Sequence, residues 1–275
     1  MGGLVWLASY PKSGNTWTRH FLHSLIRSDQ THDINAMRTL TTADAVREWY
    51  RGVLDRPESE WTDELVAAAR PLALRRIAQS ADGLVFVKTH NAMVKHLGTP
   101  TIEPSVTAGA IYIVRNPLDV AISFAAFKGG DLDEAIDAMT TRGACAEPTA
   151  TMVYQYSGSW AEHVESWTRR PARQLRVMRY EDMLDQPLET FGALAAFLRI
   201  APTRQQLEAA IEASSFDKLK AQEDEIGFNE KPDTAERFFR EGRSGQWREA
   251  LTASQVDRVV AASRPQMERF GYWPL

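Results

Sequence analysis

Four short runs of apolar residues do most to limit what this chain can fold into. They are residues 4–8, 84–87, 110–114 and 175–178. Each run is continuously hydrophobic, which is typical of strands covered on both faces in a parallel sheet. Helical spacing lies between the runs, for example Trp160, Val164 and Trp167 behind a serine. The pattern predicts an α/β fold with helices flanking a central parallel β-sheet.

The organisation along the chain favours one domain. The 275 residues show no internal repeat, low-complexity tract or clear linker, so we expect a single domain over 1–275. Two segments, 129–151 and 222–245, carry little apolar pattern, and the second is rich in Glu and Arg. Long segments of this kind in a compact domain are commonly lids or binding loops. The alternative for residues 129–151 is a flexible surface loop without a binding role.

Charge and cysteine content exclude several classes of protein. The net charge of −4 is not that of a general polyanion binder, so we expect no nucleic acid partner. The single cysteine, Cys145, allows neither an internal disulfide nor a multi-thiolate metal site. No apolar run approaches the roughly 20 residues of a membrane span, and the start has no signal-peptide pattern. We expect a soluble cytoplasmic protein without a membrane partner.

A lysine and a glycine separate the first apolar run from a helical pattern, in the stretch WLASYPKSGNTWTRHFL. The backbone N–H groups of residues 13–17 would lie at the N-terminus of that helix, where they lack intrahelical partners and the helix dipole is positive. Gly14 lets the backbone approach a ligand closely, and Lys12 adds a full positive charge. The combination predicts a site for an anion, above all phosphate.

The loop differs from the one that binds ATP. The ATP-binding motif reads G-x-x-x-x-G-K-[ST], with the lysine after the loop and a hydroxyl for Mg²⁺ beside it. Here Lys12 precedes Gly14, the first glycine is absent, and no strand runs into a series of acidic residues. The sequence therefore favours a phosphate-containing donor that needs no metal. A P-loop kinase or NTPase is the alternative.

The other three apolar runs also end in polar groups. The second runs into Lys88, Thr89 and His90, the third into Arg115, and the fourth into the sequence RYED, which contains Tyr180. Ligands of open parallel sheets bind beyond the carboxyl ends of the strands. We therefore expect a cationic cleft with a histidine in it.

These stretches resemble, in order, the motifs of the sulfotransferases that use 3′-phosphoadenosine 5′-phosphosulfate (PAPS). YPKSGNTW is similar to their 5′-phosphosulfate loop, with Asn15 where Thr is usual, and YIVRNPLDVAISF is similar to their 3′-phosphate motif. FVKTH resembles the segment with the catalytic histidine, RYED and SSFDKLK resemble segments around the adenine, and FFREGRSGQW resembles the closing glycine-rich loop. The resemblance implies a P-loop NTPase-like sulfotransferase fold.

The resemblance also implies the reaction, which is in-line transfer of a sulfuryl group from PAPS to a hydroxyl or amine, without a metal. The residues at catalytic positions are Lys12, Lys88, His90 and Ser123. Lys12 would stabilise the charge on the departing phosphate oxygen, and Lys88 would contact the sulfuryl oxygens. His90 would be the general base, since an unperturbed imidazole has a pKa of about 6.5. The alternatives are surface lysines at 12 and 88, a structural histidine at 90 and a small helix residue at 123. For the whole protein, a non-catalytic nucleotide-binding or scaffold relative is a further alternative.

The residues implied to contact the donor fall into three groups. The phosphosulfate loop contributes Lys12, Ser13, Gly14, Asn15, Thr16 and Trp17. The 3′-phosphate would be held by Arg115, Ser123, Arg240 and Gly242, and Glu241 lies in the same loop of the donor site. The adenine would lie between Trp17 and Phe216, unless these belong to the core, with Tyr180 and Ser214 at its edge.

Two features depart from the animal cytosolic members of the family. Glu241 stands where those enzymes usually have lysine, and Arg243 is the candidate to replace that charge. The dimer signature that follows the closing loop in those enzymes is not recognisable here, so a homodimer is left open.

The acceptor is expected to be a hydroxyl-bearing small molecule or natural product. The segment 129–151 would grip it, with Phe124, Phe127 and Trp160 as walls. The stretches ASYPKSGNTW and GSWAEHVESW are more similar to bacterial sulfotransferases, including those that modify glycopeptide antibiotics, than to animal steroid or phenol enzymes.

Overall fold

The computed structural model describes residues 2–27 and 33–273. The strands are β1 (Gly3–Ser9), β2 (Thr41–Ala43), β3 (Leu84–Thr89), β4 (Lys95–His96), β5 (Thr99–Pro100), β6 (Thr107–Val114), β7 (Cys145–Ala146), β8 (Gln155–Tyr156) and β9 (Leu175–Arg179). The α-helices are α1 (Asn15–Ile26), α2 (Arg47–Arg51), α3 (Asp63–Ala78), α4 (Pro117–Lys128), α5 (Leu132–Thr140), α6 (Trp160–Thr168), α7 (Tyr180–Asp185), α8 (Pro187–Phe197), α9 (Arg204–Ala213), α10 (Phe216–Ile226), α11 (Trp247–Ala250) and α12 (Ala253–Arg269).

The central sheet has five strands in the order β2-β3-β1-β6-β9. Strand β3 pairs in parallel with both β1 and β2, and Ala8 lies opposite Thr89 in the β1–β3 register. The four predicted strands are β1, β3, β6 and β9, so the prediction of an α/β fold with a parallel sheet flanked by helices is confirmed. Strand β2 was not predicted, because three residues rich in threonine give no apolar run.

The chain clusters into two compact units, each built from three stretches of sequence. The first unit comprises the described residues of Met1–Tyr10, Thr41–Tyr112 and Ala138–Val177. The second comprises those of Pro11–Leu40, Ile113–Asp137 and Met178–Leu275. The expectation of one domain over 1–275 stays a prediction.

In the first unit, a core cluster forms between α2, α3 and the segment that follows β7. Its buried members are Ala45, Tyr50, Val66, Ala67, Ala69, Ala73, Val153 and Tyr154. Helix α6 begins behind Ser159, whose hydroxyl accepts the N–H of Glu162 while the Glu162 carboxylate accepts the N–H of Ser159. This reciprocal capping satisfies two helix-end amides and fixes where α6 starts.

In the second unit, α1 packs against α9, and a second core cluster lies beside them. The buried members of this cluster are Ile34, Met37, Leu219, Phe228 and Phe239, with Trp17, Phe216 and Phe238 packed against them. Three of these aromatic residues, Phe228, Phe238 and Phe239, come from the segment 222–245. That segment is therefore attached to the core even where it forms no helix or strand.

The two segments with little apolar pattern differ in structure. Residues 129–151 contain helix α5 and strand β7, whereas residues 222–226 complete helix α10 and residues 227–245 form neither helix nor strand. Helix α5 was missed because its apolar face is short and acidic residues surround it. Roles of these segments as lids or binding loops stay predictions.

Among the described residues, no helix combines the length and the apolar character that a membrane span requires. Within the same ranges, His, Cys, Asp and Glu side chains form no group of three or more that could hold a metal ion. The cytoplasmic location stays a prediction.

Candidate active site

The loop between β1 and α1 is the strand–loop–helix turn that the sequence predicts. Gly14 immediately precedes α1 with φ 105°, and a Cβ there would lie 2.8 Å from the Cδ2 atom of Tyr180, so only glycine fits without a shift. Lys12 has φ 67°, a left-handed conformation that costs a residue with a side chain about 1–2 kcal/mol. The chain holds both residues in uncommon backbone conformations just ahead of a helix N-terminus.

The polar groups at this helix N-terminus point to an anion. The first intrahelical bond runs from the Thr18 N–H to the Gly14 carbonyl, so the amides of residues 15–17 precede it. The buried hydroxyl of Ser13 has no hydrogen-bond partner among the described residues. A buried polar group without a partner costs free energy, so this arrangement suits a ligand that accepts hydrogen bonds.

Arg115 connects this loop to the late loop of the chain. Its Nη1 donates to the Lys12 carbonyl at 3.1 Å, and its Nη2 donates to the Arg243 carbonyl at 3.3 Å. The guanidinium carbon lies 4.3 Å from the centre of the Tyr180 ring, and the buried Nε has no partner among the described residues. The structure thus brings together, within the second unit, the residues predicted for the two ends of the donor.

The Lys12 ammonium lies close to two aromatic rings. Its Nζ is 4.3 Å from the centre of the Phe127 ring and 4.1 Å from that of Phe238. Cation–π contacts of this kind are worth about 0.5–2 kcal/mol. Phe127 was predicted as an acceptor wall, and the structure places it against Lys12. Phe124, the other predicted acceptor wall on helix α4, lies near Lys128. The Lys128 Nζ is 5.1 Å from the centre of the Phe124 ring.

The closing loop lies against the predicted adenine platform. Gly242 has φ 63°, and a Cβ there would lie 2.3 Å from the Cγ of Phe216, so the backbone touches the ring face. The Asp119 carboxylate accepts the N–H of Gly245 at 2.7 Å and that of Trp247 at 3.1 Å. Asp119 was missed as a site residue, although it lies inside the quoted motif YIVRNPLDVAISF.

Arg243 of the closing loop is paired with two carboxylates. The Arg243 guanidinium bonds to Glu241 at 3.2 Å and to Glu249 at 2.9 Å. Arg240 donates to the Gln246 side chain at 3.4 Å. The idea that Arg243 replaces the lysine of other family members stays a prediction.

The predicted adenine contacts are largely buried in the second unit. Trp17 meets Tyr180 edge-on at 5.7 Å between ring centres, and its buried Nε1 has no partner among the described residues. Burial raises the pKa of Tyr180, which keeps the phenol protonated as a donor. Ser214 ends helix α9 and donates its hydroxyl to the Ala210 carbonyl at 2.8 Å.

His90 lies in the first unit, directly after β3. Its Nδ1 is 2.8 Å from the carbonyl oxygen of Ser9. Because a carbonyl oxygen can only accept, Nδ1 carries a proton, and in the neutral ring Nε2 therefore carries the lone pair. This tautomer makes Nε2 the basic atom of the ring, as a general base requires.

His163 contacts the backbone of the same residue. Its Nε2 is 3.2 Å from the His90 carbonyl oxygen, and its Nδ1 is 2.9 Å from the hydroxyl of Tyr112. The carbonyl makes Nε2 the donor, so Nδ1 accepts the Tyr112 proton. Burial lowers the pKa of His163 to about 3, so the ring is neutral at ordinary pH.

The remaining predicted residues differ in how deeply they are buried. Lys88 lies opposite Leu7 in the β1–β3 register and is half-buried, and Ser123 is half-buried on α4. Trp160 is wholly buried at the start of α6 and is a core residue in this structure. Its role as an acceptor wall stays a prediction, as does the cleft expected at the strand ends.

Comparison with known proteins identifies the family. The family model described as "Sulfotransferase domain" matches residues 3–271, which include segments of both units. The chain therefore belongs to the sulfotransferase family. Sulfotransferase 1B1 of Canis lupus familiaris is 23% identical over 279 residues, covering 95% of this chain and 82% of that protein. Flavonol 3-sulfotransferase of Flaveria bidentis is 22% identical over 271 residues, covering 93% and 78%.

Solved structures support the fold. Retinol dehydratase in a complex with retinol and PAP is similar with a TM-score of 0.67 and 21% identity. The similarity covers 96% of this chain and 81% of the retinol dehydratase chain. Mouse sulfotransferase SULT7A1 complexed with PAP has a TM-score of 0.61 and 19% identity, covering 96% and 84%. The predicted sulfotransferase fold is confirmed. The stronger likeness to bacterial enzymes stays a prediction, since the relatives named here with their organism come from two mammals and a plant.

Proposed function

We propose that this sulfotransferase moves a sulfuryl group from PAPS to a hydroxyl or amine of a small-molecule acceptor. The family membership supports sulfuryl transfer. Two structurally similar proteins were solved with PAP, the desulfated form of the donor, and one of those structures also holds retinol. A flavonol enzyme is among the relatives, which extends the acceptor class to plant phenols.

The second unit offers a site that fits the donor. The hydroxyl of Ser13 and the Nε of Arg115 are buried donors without partners among the described residues, and both suit phosphate oxygens. Gly14 and Gly242 bring backbone close to aromatic rings, where any Cβ would collide. We assign the 5′-phosphosulfate to Lys12 and the amides of residues 13–17. The 3′-phosphate is assigned to Arg115, Ser123 and the loop 240–242, and the adenine to Trp17, Phe216, Tyr180 and Ser214.

The tautomer of His90 carries the mechanistic part of the proposal. With its Nδ1–H held by the Ser9 carbonyl, the Nε2 lone pair takes the proton from the acceptor hydroxyl. Bound PAPS supplies the sulfuryl group on a phosphate that leaves readily. Lys12 stabilises the negative charge that builds on the departing oxygen, and Lys88 contacts the sulfuryl oxygens.

The test is turnover with radiolabelled PAPS and a panel of phenols, sugars, steroids and glycopeptides. We expect His90→Ala to lower kcat by roughly 100-fold or more, because general base catalysis contributes about 10²–10⁴. Its affinity for adenosine 3′,5′-bisphosphate should stay within about twofold of the unmodified protein. His96→Ala is the matched control, since His96 lies on β4 and packs on Tyr154 and Tyr156.

Full activity of His90→Ala on the true acceptor would refute the base assignment. Tight binding of ATP–Mg²⁺ without binding of adenosine 3′,5′-bisphosphate would instead favour a kinase or NTPase. Nucleotide binding without any sulfated product across the panel would favour a non-catalytic relative.

A further inference from the structure

A wholly buried carboxylate lies beside the residues that flank His90. Asp44 follows strand β2, and its Oδ2 accepts two hydrogen bonds of 2.8 Å. One comes from the hydroxyl of Thr89 and the other from the side-chain amide of Asn91. Thr89 and Asn91 are the immediate neighbours of His90, and neither is exposed. A single oxygen atom therefore holds both sides of the histidine.

The flanking residues are themselves bonded at several atoms. The Asn91 N–H donates to the Thr89 hydroxyl oxygen at 3.0 Å, which links the two neighbours of His90 directly. The Asn91 side-chain oxygen accepts the N–H of Tyr156 at 2.7 Å. The Asn91 carbonyl accepts the indole N–H of Trp167 at 3.0 Å. With Asp44, these bonds restrict both the backbone and the side chain on the C-terminal side of His90.

The Asp44 carboxyl group lies close to a buried arginine. The Arg70 Nη1 lies 4.0 Å from the Asp44 Oδ2, and the Arg70 Nη2 donates to the Tyr154 carbonyl at 3.3 Å. Both charged side chains are buried to within 1% of full burial. Buried ion pairs add little net stability compared with apolar residues of similar size. Stability alone therefore does not explain this cluster, whereas fixing one geometry at a functional residue does.

We infer that Asp44 is a positioning residue for His90, acting through Thr89 and Asn91. The bonds to Asp44 hold the side chains of the residues on both sides of His90, and His163 holds the His90 carbonyl. The imidazole then meets the Ser9 carbonyl with Nδ1, and Nε2 is left as the basic atom. The inference rests on the proposed function, because it requires His90 to be the base.

Two substitutions of Thr89 test the inference. Thr89→Val keeps the shape of the side chain but removes the hydroxyl that joins Asp44 to Asn91. We expect kcat to fall roughly 10- to 100-fold, since a displacement of about 1 Å in a catalytic group can cost 100-fold. The acceptor KM and the affinity for adenosine 3′,5′-bisphosphate should stay within about twofold. Thr89→Ser restores the hydroxyl and should recover kcat to within about threefold.

Controls separate positioning from a general loss of structure. Thr190→Val removes another buried hydroxyl, which donates to the Asp182 carbonyl at 2.9 Å, and should leave kcat unchanged. If Thr89→Val does not fold, as judged by circular dichroism, Asn91→Ala removes the other link to Asp44. It should also lower kcat by about 10-fold or more without a change in nucleotide affinity.

His90→Ala is measured in parallel, so that the two proposals can fail separately. An inactive His90→Ala together with a fully active Thr89→Val would overturn the inference and leave the base assignment standing. Equal losses in Thr89→Val and Thr89→Ser, or a loss shared with Thr190→Val, would also overturn it. A fully active His90→Ala would remove both proposals.

Discussion

Arg115 shows how one side chain can serve two loops of the second unit. Its two terminal nitrogens donate to the carbonyls of Lys12 and Arg243, which belong to loops far apart in sequence. The Nε remains for a ligand, since it has no partner among the described residues. A lysine could not reproduce this arrangement, because it has a single nitrogen and no planar fork.

We expect Arg115→Ala to weaken binding of adenosine 3′,5′-bisphosphate by about 10- to 100-fold. Hydrogen bonds to charged groups contribute about 1.5–3 kcal/mol, which corresponds to that range of affinity. Isothermal titration calorimetry measures this affinity. The affinity of Arg115→Lys should lie between that of the unmodified protein and that of Arg115→Ala. The matched control is Arg204→Ala, because Arg204 is exposed on α9 and pairs only with Glu208 among the contacts described here. Unchanged affinity in Arg115→Ala would remove this residue from the phosphate site.

At the level of single residues, the sequence indicates the residues of the candidate site better than the residues that hold them in position. Lys12, Gly14 and Arg115 stand out because charge and glycine at strand ends are chemically distinctive. Asp44 and His163 do not stand out, since 45 residues separate Asp44 from Thr89 and only the folded chain brings them together. Local patterns carry no information about such contacts, so positioning residues could not be predicted.

The segment 227–245 shows that an element without helix or strand can still be firmly attached. Both oxygens of the buried Glu223 carboxylate accept backbone amides, from Phe238 at 2.7 Å and from Phe239 at 2.8 Å. Arg19 and Glu230 form a largely buried ion pair at 2.9 Å, which joins the segment to α1. Asp119 fixes its end through the amides of Gly245 and Trp247. The carboxylates of Glu223 on α10 and Asp119 on α4 thus accept backbone N–H groups that a neighbouring strand would otherwise bond.

Asp119→Asn should loosen the end of this segment. Asparagine keeps one acceptor oxygen but puts an NH₂ donor in place of the other, so one of the two backbone hydrogen bonds is lost. The loss costs roughly 1–2 kcal/mol, so local opening becomes about 10-fold more frequent. Hydrogen exchange followed by mass spectrometry should show faster exchange in peptides that cover 243–248. Asp133→Asn is the control, since Asp133 is exposed on α5 and bonds to Arg258. If exchange in 243–248 is the same in both variants, Asp119 does not hold the loop.

At the level of elements, continuous apolar runs predicted four of the five strands of the central sheet. The capping serine correctly marked the start of α6, because capping is a local interaction. Strand β2 and helix α5 were missed for a physical reason. Their pairing and packing depend on partners elsewhere in the chain, and their own side chains are too polar to signal burial.

The whole molecule should respond to acid through His163. Burial lowers the folded-state pKa of this histidine to about 3, against about 6.5 when unfolded. Between these values the unfolded chain binds the proton and the folded chain does not, so stability falls as pH decreases below 6.5. The loss is at most about 1.4 kcal/mol per pH unit. Burial raises the pKa of Asp44, which gives a dependence of the opposite sign.

His163→Gln isolates this contribution. Glutamine can accept the Tyr112 hydroxyl and donate to the His90 carbonyl but does not titrate. We measure the free energy of unfolding in urea at pH 7.5 and at pH 5. The decrease between these two pH values should be about 2 kcal/mol smaller in the variant than in the unmodified protein. Asp44, His23 and His96 are present in both proteins, so their titrations cancel in the difference. Equal falls in the two proteins would show that His163 is not buried in the neutral form.

The two units alternate along the chain, three stretches to each. A gene chimaera with a single breakpoint between residues 11 and 177 therefore inherits parts of both units from each parent. Exchanging one unit as a whole requires recombination at several sites at once, which is a rare event. Libraries that shuffle relatives of this protein should therefore place their crossovers at the boundaries between the stretches.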